Sequence, residues 1–167
     1  MTSAPPLAGR YWRIVSPRWI SEPLSGAGAA RHGGRWNRPG QPALYLSVEV
    51  ETAFAEYQQE IGTRPGTFIA YDVAGARVHD LTDAKTRDRL AVSEPSMLNP
   101  WKQVAFVEGG EPPTWRHAAR LSTAADGLLV PSVMRPNGVN LVLWRWNEGP
   151  VQVRFHDPKG DLNLVRT

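Results

Sequence analysis

The sequence predicts a single α+β domain, in which helices and strands are interspersed without the regular βα alternation of a doubly wound sheet. Two observations favour this class. Short runs rich in β-branched and aromatic residues recur along the chain, bounded by turn residues. An amphipathic helical segment and a region of shorter helical pieces lie between these runs. The length of 167 residues suits one hydrophobic core.

The first half of the chain opens with a predicted flexible leader at residues 1–10, and the predicted domain covers residues 11–157. Pro, Ser and Gly punctuate Pro17–Gly34, which is therefore predicted to be mostly loop. The predicted strands of this half are YWRIV at Tyr11–Val15, ALYLS at Ala43–Ser47 and TFIAYDV at Thr67–Val73.

An amphipathic helix is predicted directly after the second of these strands. Ser47 is a suitable N-cap, and Glu49 and Glu51 lie in the first turn, where the helix dipole favours acids. The helix is predicted to run to about Ile61, because apolar residues recur along one face. Glu56 lies at the edge of that face, from which a carboxylate can point toward a cleft.

The second half is predicted to add a strand at Arg77–Leu81 and, over residues 82–122, helical pieces broken by prolines. These breaks fall at Pro95, Pro100 and the Pro112–Pro113 pair. Three more short strands are predicted at Gly127–Pro131, Val139–Trp146 and Val151–His156. Residues 158–167 are predicted to form a C-terminal tail.

The composition restricts the classes of function. Cys is absent, which excludes disulfides and thiolate chemistry and fits a reducing cytoplasm. The N-terminus lacks the pattern of a signal peptide, and no apolar run is long enough to cross a bilayer. A cytoplasmic protein without a membrane partner is therefore predicted. The net charge of +3 permits an anionic partner without by itself indicating nucleic acid.

The sequence lacks the familiar motifs for nucleotide binding, for a serine nucleophile and for metal binding. GAGAARHGG at Gly26–Gly34 places Arg31 where a dinucleotide fingerprint needs its third Gly, and no predicted strand leads into it. P-loop and G-x-S-x-G patterns are absent from the sequence. The four His are far apart and lack ligand spacing, so no metal site is predicted.

The segment Arg31–Glu56 combines three kinds of chemistry behind a glycine pair. Arg35 is a planar cation suited to gripping phosphates, Tyr45 offers a ring for stacking, and Glu56 supplies a carboxylate. Together they suit a dinucleotide substrate. Each also has an ordinary interpretation, since Arg31 and Arg35 fit a solvated basic loop, Tyr45 fits a core position and Glu56 fits a helix surface.

Two further residues are candidates for the site because of the residues that surround them in sequence. Arg13 lies between Trp12 and Ile14 in a buried-looking strand and needs a partner, either a structural carboxylate or a ligand phosphate. Ser132 follows the GLLVP strand, where it is either a turn residue or a hydroxyl that orients a substrate group.

The run GGRWN-x-PG-x-PALY-x-S, followed by a helical Glu, resembles the RES-domain toxins of RES–Xre type II toxin–antitoxin systems. That family takes its name from an Arg, a Glu and a Ser, which match Arg35, Glu56 and Ser132 here. Tyr45 matches the active-site Tyr of the family, and Arg13 also resembles a family position. The resemblance extends from Tyr11 to about residue 157 and leaves residues 82–122 unaligned.

The resemblance implies a diphtheria-toxin-type ADP-ribosyltransferase fold with a central split β-sheet. It implies NAD as the substrate, consumed without a metal by hydrolysis, by phosphorolysis or by transfer of ADP-ribose to a protein target. It also implies an Xre-type antitoxin that covers the active site, frequent self-association into homo-oligomers, and contact with nucleic acid through the antitoxin alone.

Specific roles follow from the same resemblance. Arg35, assisted by Arg13 and Arg31, would bind the diphosphate or the adjacent ribose, and Tyr45 would stack on nicotinamide. Glu56 would stabilise the ribosyl cation, and Ser132 would orient Glu56 or the nicotinamide end. Two alternatives remain open from the residues alone. One is an RNA-directed toxin or nucleic-acid-binding module that uses the basic loop and the Trp rings, and the other is a non-catalytic interaction domain.

Overall fold

Within residues 5–58 and 64–162, which the computed structural model of this chain describes, seven strands form one sheet flanked by short helices. The strands are β1 (Leu7–Val15), β2 (Leu44–Ser47), β3 (Thr67–Ala76), β4 (Val78–Asp80), β5 (Gly127–Pro131), β6 (Val139–Leu143) and β7 (Gln152–Phe155). The helices are α1 (Ala27–His32), α2 (Val50–Gln58), α3 (Ala84–Arg89), α4 (Glu94–Met97) and α5 (Pro113–Leu121), with a 3-10 turn at Pro17–Trp19 and a π-helical turn at Gln103–Val107.

The sheet has the order β4-β5-β6-β2-β1-β3-β7. Neighbouring strands are antiparallel except for β4 and β5, which are parallel. Every residue of β1 has a register partner in β3, whereas the register pair that joins β1 to β2 in the described chain is Trp12 with Ser47. The sheet therefore consists of two halves that meet at β1 and β2, and the predicted α+β fold with a split central sheet is confirmed.

The two faces of the sheet carry separate clusters of buried side chains, because side chains alternate along each strand. Leu44 and Leu46 of β2 join Tyr71 in one cluster. Val142 of β6 joins Leu128 and side chains of α5 in the other. Tyr45 pairs with Val142 across β2 and β6 and packs against the second cluster. This second face is the one on which α5 and the α4 region lie.

The segment Pro17–Gly34 is more ordered than predicted, since it contains the 3-10 turn and α1. Its glycines serve packing rather than flexibility. A Cβ on Gly26 would lie 2.6 Å from the ring of Trp146, and one on Gly28 would contact Trp19 at 3.7 Å. The glycines thus let an Ala-rich helix lie close to two tryptophan rings, which the local composition does not reveal.

Two predicted boundaries differ from the structure. Ser47 is not the N-cap of α2, because it still belongs to β2 and its hydroxyl donates to Asn140 Oδ1 at 2.8 Å. The helix begins at Val50, and its predicted end at Ile61 lies outside the described residues. The first strand begins at Leu7 rather than Tyr11, so residues 7–10 of the predicted leader pair with β3.

The remaining elements agree closely with prediction. β4 falls within Arg77–Leu81 as predicted, and β6 ends at Leu143, three residues before the predicted end. The prolines of residues 82–122 start helices as well as separating them, since Pro95 and Pro113 lie in the first turns of α4 and α5. None of the helices in the described part of the chain has the length and apolarity that a membrane span requires.

Candidate active site

A cleft of about 800 Å³ opens beside the junction of the two sheet halves. This volume lies within the range of roughly 300–1,000 Å³ usual for small-molecule sites. Five of the six candidate residues line it: Arg13, Arg31, Arg35, Tyr45 and Glu56. The sixth, Ser132, stands behind Glu56 and is bonded to it, between two lining residues. The structure therefore brings all six candidates to one place.

The glycine pair at the edge of the cleft has two separate functions. Gly33 has φ +73, a left-handed conformation that favours glycine. Gly34 leaves room for the cleft wall, since a Cβ there would lie 2.5 Å from the hydroxyl of Tyr45 and 2.6 Å from Asn37 Oδ1. Trp115 Nε1 donates to the carbonyl of Gly34 at 2.8 Å, which ties this backbone to α5.

Gly34→Ala is expected to lower the free energy of unfolding by about 1–3 kcal/mol, because the added methyl group would overpack the wall. Urea denaturation followed by circular dichroism measures the change. Gly28→Ala is the matched control, since its Cβ would make contacts no closer than 3.7 Å. Equal stability of the two variants would contradict the packing argument.

Tyr45 is fixed by its hydroxyl. The hydroxyl donates to Asn37 Oδ1 at 2.7 Å and accepts from the backbone N–H of Trp36 at 3.0 Å. Asn37 is fully buried, and its amide nitrogen donates to the carbonyls of Ala29 and Gln41. Burial raises the pKa of Tyr45 above its ordinary value, so the phenol stays protonated and the ring is held as a fixed wall of the cleft.

Tyr45→Phe is expected to destabilise the fold by about 1–3 kcal/mol, because the buried carbonyl oxygen of Asn37 and the N–H of Trp36 would lose their partner. The ring itself stays, so the aromatic wall of the cleft is kept. Urea denaturation measures the loss of stability. Stability equal to that of wild type would contradict the argument that the Tyr45 hydroxyl satisfies Asn37 and Trp36.

Arg35 reaches the cleft from the loop behind the glycine pair. Its NH1 donates to the carbonyls of Met97 at 2.9 Å and Asn99 at 2.6 Å, which orient the guanidinium group. Burial lowers the pKa of Arg35, and the negative charge of Glu56 opposes that shift. Arg35 remains a cation at neutral pH, and it lies within electrostatic range of Glu56.

Glu56 is held by donors from the other side of the cleft. Its Oε1 accepts from Ser132 Oγ at 2.6 Å and from Asn140 Nδ2 at 2.7 Å. The Ser132 hydroxyl in turn accepts from the backbone N–H groups of Met134 and Arg135, each at 3.1 Å. The carboxylate of α2 is thereby connected to the loop after β5 and to β6.

A second set of contacts supports the same loop. Arg135 forms an ion pair with Glu49 and donates to Thr52 Oγ1 at 3.2 Å, and both partners lie at the N-terminal end of α2. The loop that carries Ser132 is thus attached to the helix that carries Glu56 at two places. This attachment explains how two residues far apart in sequence keep a hydrogen-bonding distance.

Arg13 and Arg31 lie at the cleft in different settings. Arg13 is in β1, near the buried Tyr71. Burial raises the pKa of Tyr71 to about 12, and the nearby Arg13 guanidinium opposes that rise. Arg31 is exposed in the last turn of α1. Both cations line the same cleft as Arg35, which gives it a strongly positive wall.

Several residues at the site were not singled out by the sequence. Asn140 interrupts the apolar run of β6, and such a polar residue inside a strand is the signal that was available. Asn37 follows Arg35 by two residues in the GGRWN motif. Trp101, Lys102 and Phe106 line the cleft from the unaligned region, which carries no recognisable motif. Among the residues that the structure describes, no group of three or more His, Cys, Asp or Glu is placed to hold a metal ion.

The chain is similar in sequence to known proteins. The sequence profile of the RES domain family matches residues 10–165. The chain is 33% identical over 150 residues to the protein named Toxin Res of Photorhabdus laumondii, covering 87% of this chain and 84% of that protein. It is 28% identical over 146 residues to the Toxin Res of Yersinia enterocolitica, covering 79% and 81%.

The fold also has a solved counterpart. The chain superposes on a chain of the crystal structure of the M. tuberculosis MbcT-MbcA toxin-antitoxin complex with a TM-score of 0.63. The two are 25% identical, and the match covers 95% of this chain and 88% of the other. This likeness confirms the predicted fold class.

Proposed function

This chain belongs to the RES-domain family of toxins from toxin–antitoxin systems, and we propose that it acts by cleaving the nicotinamide–ribose bond of NAD. One observation carries the proposal. The Glu56 carboxylate is held by Ser132 and Asn140 in a cleft that also presents Arg35 and the ring of Tyr45. This set combines a fixed anion, a cation and an aromatic wall.

Cleavage of the nicotinamide–ribose bond needs an anion, a cation and an aromatic surface. When the bond between the ribose C1′ and the nicotinamide nitrogen breaks, its electron pair goes to the ring nitrogen and neutralises the pyridinium charge. Positive charge develops on the ribose, as in other glycosidic cleavages. A carboxylate placed near that charge stabilises the transition state more than the ground state. We assign this role to Glu56, with Ser132 as its orienting donor.

The other residues bind the substrate. Arg35, with Arg13 and Arg31 on the same cleft, supplies guanidinium groups suited to a diphosphate. Tyr45 supplies the face on which nicotinamide stacks, and its protonated hydroxyl is already engaged with Asn37. The substrate would therefore extend from Glu56 and Tyr45 toward the arginines.

The acceptor at C1′ defines the reaction class. Water gives ADP-ribose and one proton, inorganic phosphate gives the 1″-phosphate of ADP-ribose, and a side-chain nucleophile gives an ADP-ribosylated protein. Mass spectrometry of purified protein with NAD, with and without phosphate and cell lysate, distinguishes the three products. Intact NAD in every mixture, together with cleavage of added RNA, would favour the RNA-directed alternative instead.

We further propose that a cognate antitoxin of the Xre type covers the cleft and that nucleic acid is contacted through that partner. The similar solved structure is a toxin-antitoxin complex, which supports a protein partner. Self-association and a cytoplasmic site of action belong to the same proposal. Light scattering should give a mass above the 18.5 kDa of one chain. Co-expressed antitoxin should stop nicotinamide release. Undiminished release in the purified complex would contradict the covering role.

A further inference from the structure

We propose that Ser47 and Asn140 form a hydrogen-bond relay that positions the Glu56 carboxylate, with Asn140 as the positioning residue that acts on it directly. The inference rests on the proposed function of Glu56. It assigns a task to two residues outside the Arg, Tyr, Glu and Ser set, and it connects the carboxylate to the junction of the two sheet halves.

The relay starts from strand register. Ser47 and Asn140 are directly paired across β2 and β6, so their side chains lie on the same face. Ser47 Oγ donates to Asn140 Oδ1 at 2.8 Å, and Asn140 Nδ2 donates to Glu56 Oε1 at 2.7 Å. Ser47 is also the β2 residue that pairs with Trp12 of β1.

The orientation of the Asn140 amide follows from the charge of its neighbour. An ionised carboxylate is an acceptor and requires the NH₂ group of Asn140, so the amide oxygen must face Ser47. The serine hydroxyl is able to donate to that oxygen, and it is buried. The reversed amide would place two acceptors against each other at Glu56. Ser47 therefore stabilises the one orientation that Glu56 can use.

Two donors then converge on one oxygen of Glu56. Ser132 approaches from the loop after β5 and Asn140 from β6, while Glu56 itself is on α2. The terminal torsion of a glutamate side chain is broad when it is unrestrained. Two bonds from separate elements fix it before substrate arrives, which is the preorganisation that electrostatic stabilisation of a transition state requires.

The position of Asn140 argues for a role in the site. It is half-buried, lines the cleft and lies between Val139 and Leu141 in a strand that is otherwise apolar. A polar side chain there loses hydration, which an apolar residue would avoid if packing were the sole requirement. The Asn140 amide faces both a hydroxyl and a carboxylate, which offset that loss.

Asn140→Asp tests the relay, since it keeps the shape of the side chain, removes the donor and sets a second carboxylate against Glu56. We expect kcat for nicotinamide release to fall about 10- to 100-fold, the effect of losing a hydrogen bond to a charged group, with KM within about twofold of wild type. Ser47→Ala should lower kcat less, in the same direction. Asn147→Asp is the control, because Asn147 is exposed and its Oδ1 accepts from Val153 N, which Asp also permits.

A double variant in which positions 56 and 140 exchange donor and acceptor separates positioning of the carboxylate from general loss of stability. In the Glu56→Gln background, Asn140→Asp allows the Gln amide to donate to the Asp carboxylate, so the urea midpoint lost in Asn140→Asp alone should return while turnover stays absent. The relay is overturned if Asn140→Asp matches Asn147→Asp in kcat, if KM rises instead of kcat falling, or if the two positions show no coupling in stability. A wild-type protein that leaves NAD intact overturns the proposed function, whereas the stability coupling still reports on the relay.

Discussion

Glu56→Gln is expected to reduce nicotinamide release from NAD by at least about 10²- to 10³-fold while the protein remains folded. Gln has the shape of Glu without its charge, so the substitution removes the anion that we propose to face the developing ribosyl cation. The Gln carbonyl is still able to accept from Ser132 and Asn140, which bind Oε1 in the wild type. The loss should therefore fall on kcat rather than on stability.

Initial rates of nicotinamide release and urea denaturation are the two measurements. Glu51→Gln is the matched control, because Glu51 is an exposed carboxylate on the same helix and does not line the cleft. Retained turnover in Glu56→Gln would remove Glu56 from the mechanism. A variant that neither folds nor turns over would indicate the structural network expected of a non-catalytic domain.

Arg35→Ala is expected to weaken NAD binding by about 10- to 100-fold, the free energy of a charge-assisted hydrogen bond expressed as affinity. The guanidinium group is oriented in the cleft by the carbonyls of Met97 and Asn99, so its loss removes both charge and geometry. Arg35→Lys should recover part of the affinity, since it restores the charge without the planar fork.

Calorimetry in the Glu56→Gln background measures this affinity without consuming NAD. Arg10→Ala is the control, because Arg10 forms an exposed ion pair with Asp72 at 2.8 Å and contributes little to stability. An NAD affinity of Arg35→Ala equal to that of Arg10→Ala would refute the phosphate-binding role of Arg35.

The parts of the fold that the sequence predicts are those set by local patterns. The apolar runs of β2, β5 and β6 are short and bounded by turn residues, and the α+β class follows from their irregular spacing with the helices. The prediction that the region around α1 is mostly loop is wrong, because the glycines there are typical of loops. In the structure Gly26 makes room for Trp146, a contact between segments far apart in sequence.

The candidate site also has residues that local sequence predicts and residues that it does not. Arg35, Tyr45 and Glu56 lie within one short segment, so the sequence predicts them together. Asn140 was missed because its partners are distant, since Glu56 is 84 residues away and Ser47 is 93. Ser47 was mispredicted as a helix cap for the same reason. Its hydroxyl satisfies Asn140 across the sheet, and no local rule weighs a cap against a cross-strand partner.

Release of free nicotinamide from NAD by the purified wild-type chain, in the absence of any antitoxin, tests most directly whether the cleft is an NAD-cleaving site. We predict that nicotinamide appears mole for mole as NAD disappears, and that Glu56→Gln at equal concentration leaves NAD intact. Intact NAD with a wild-type protein that is folded by circular dichroism would contradict the proposal. Equal release by wild type and Glu56→Gln would place the chemistry elsewhere.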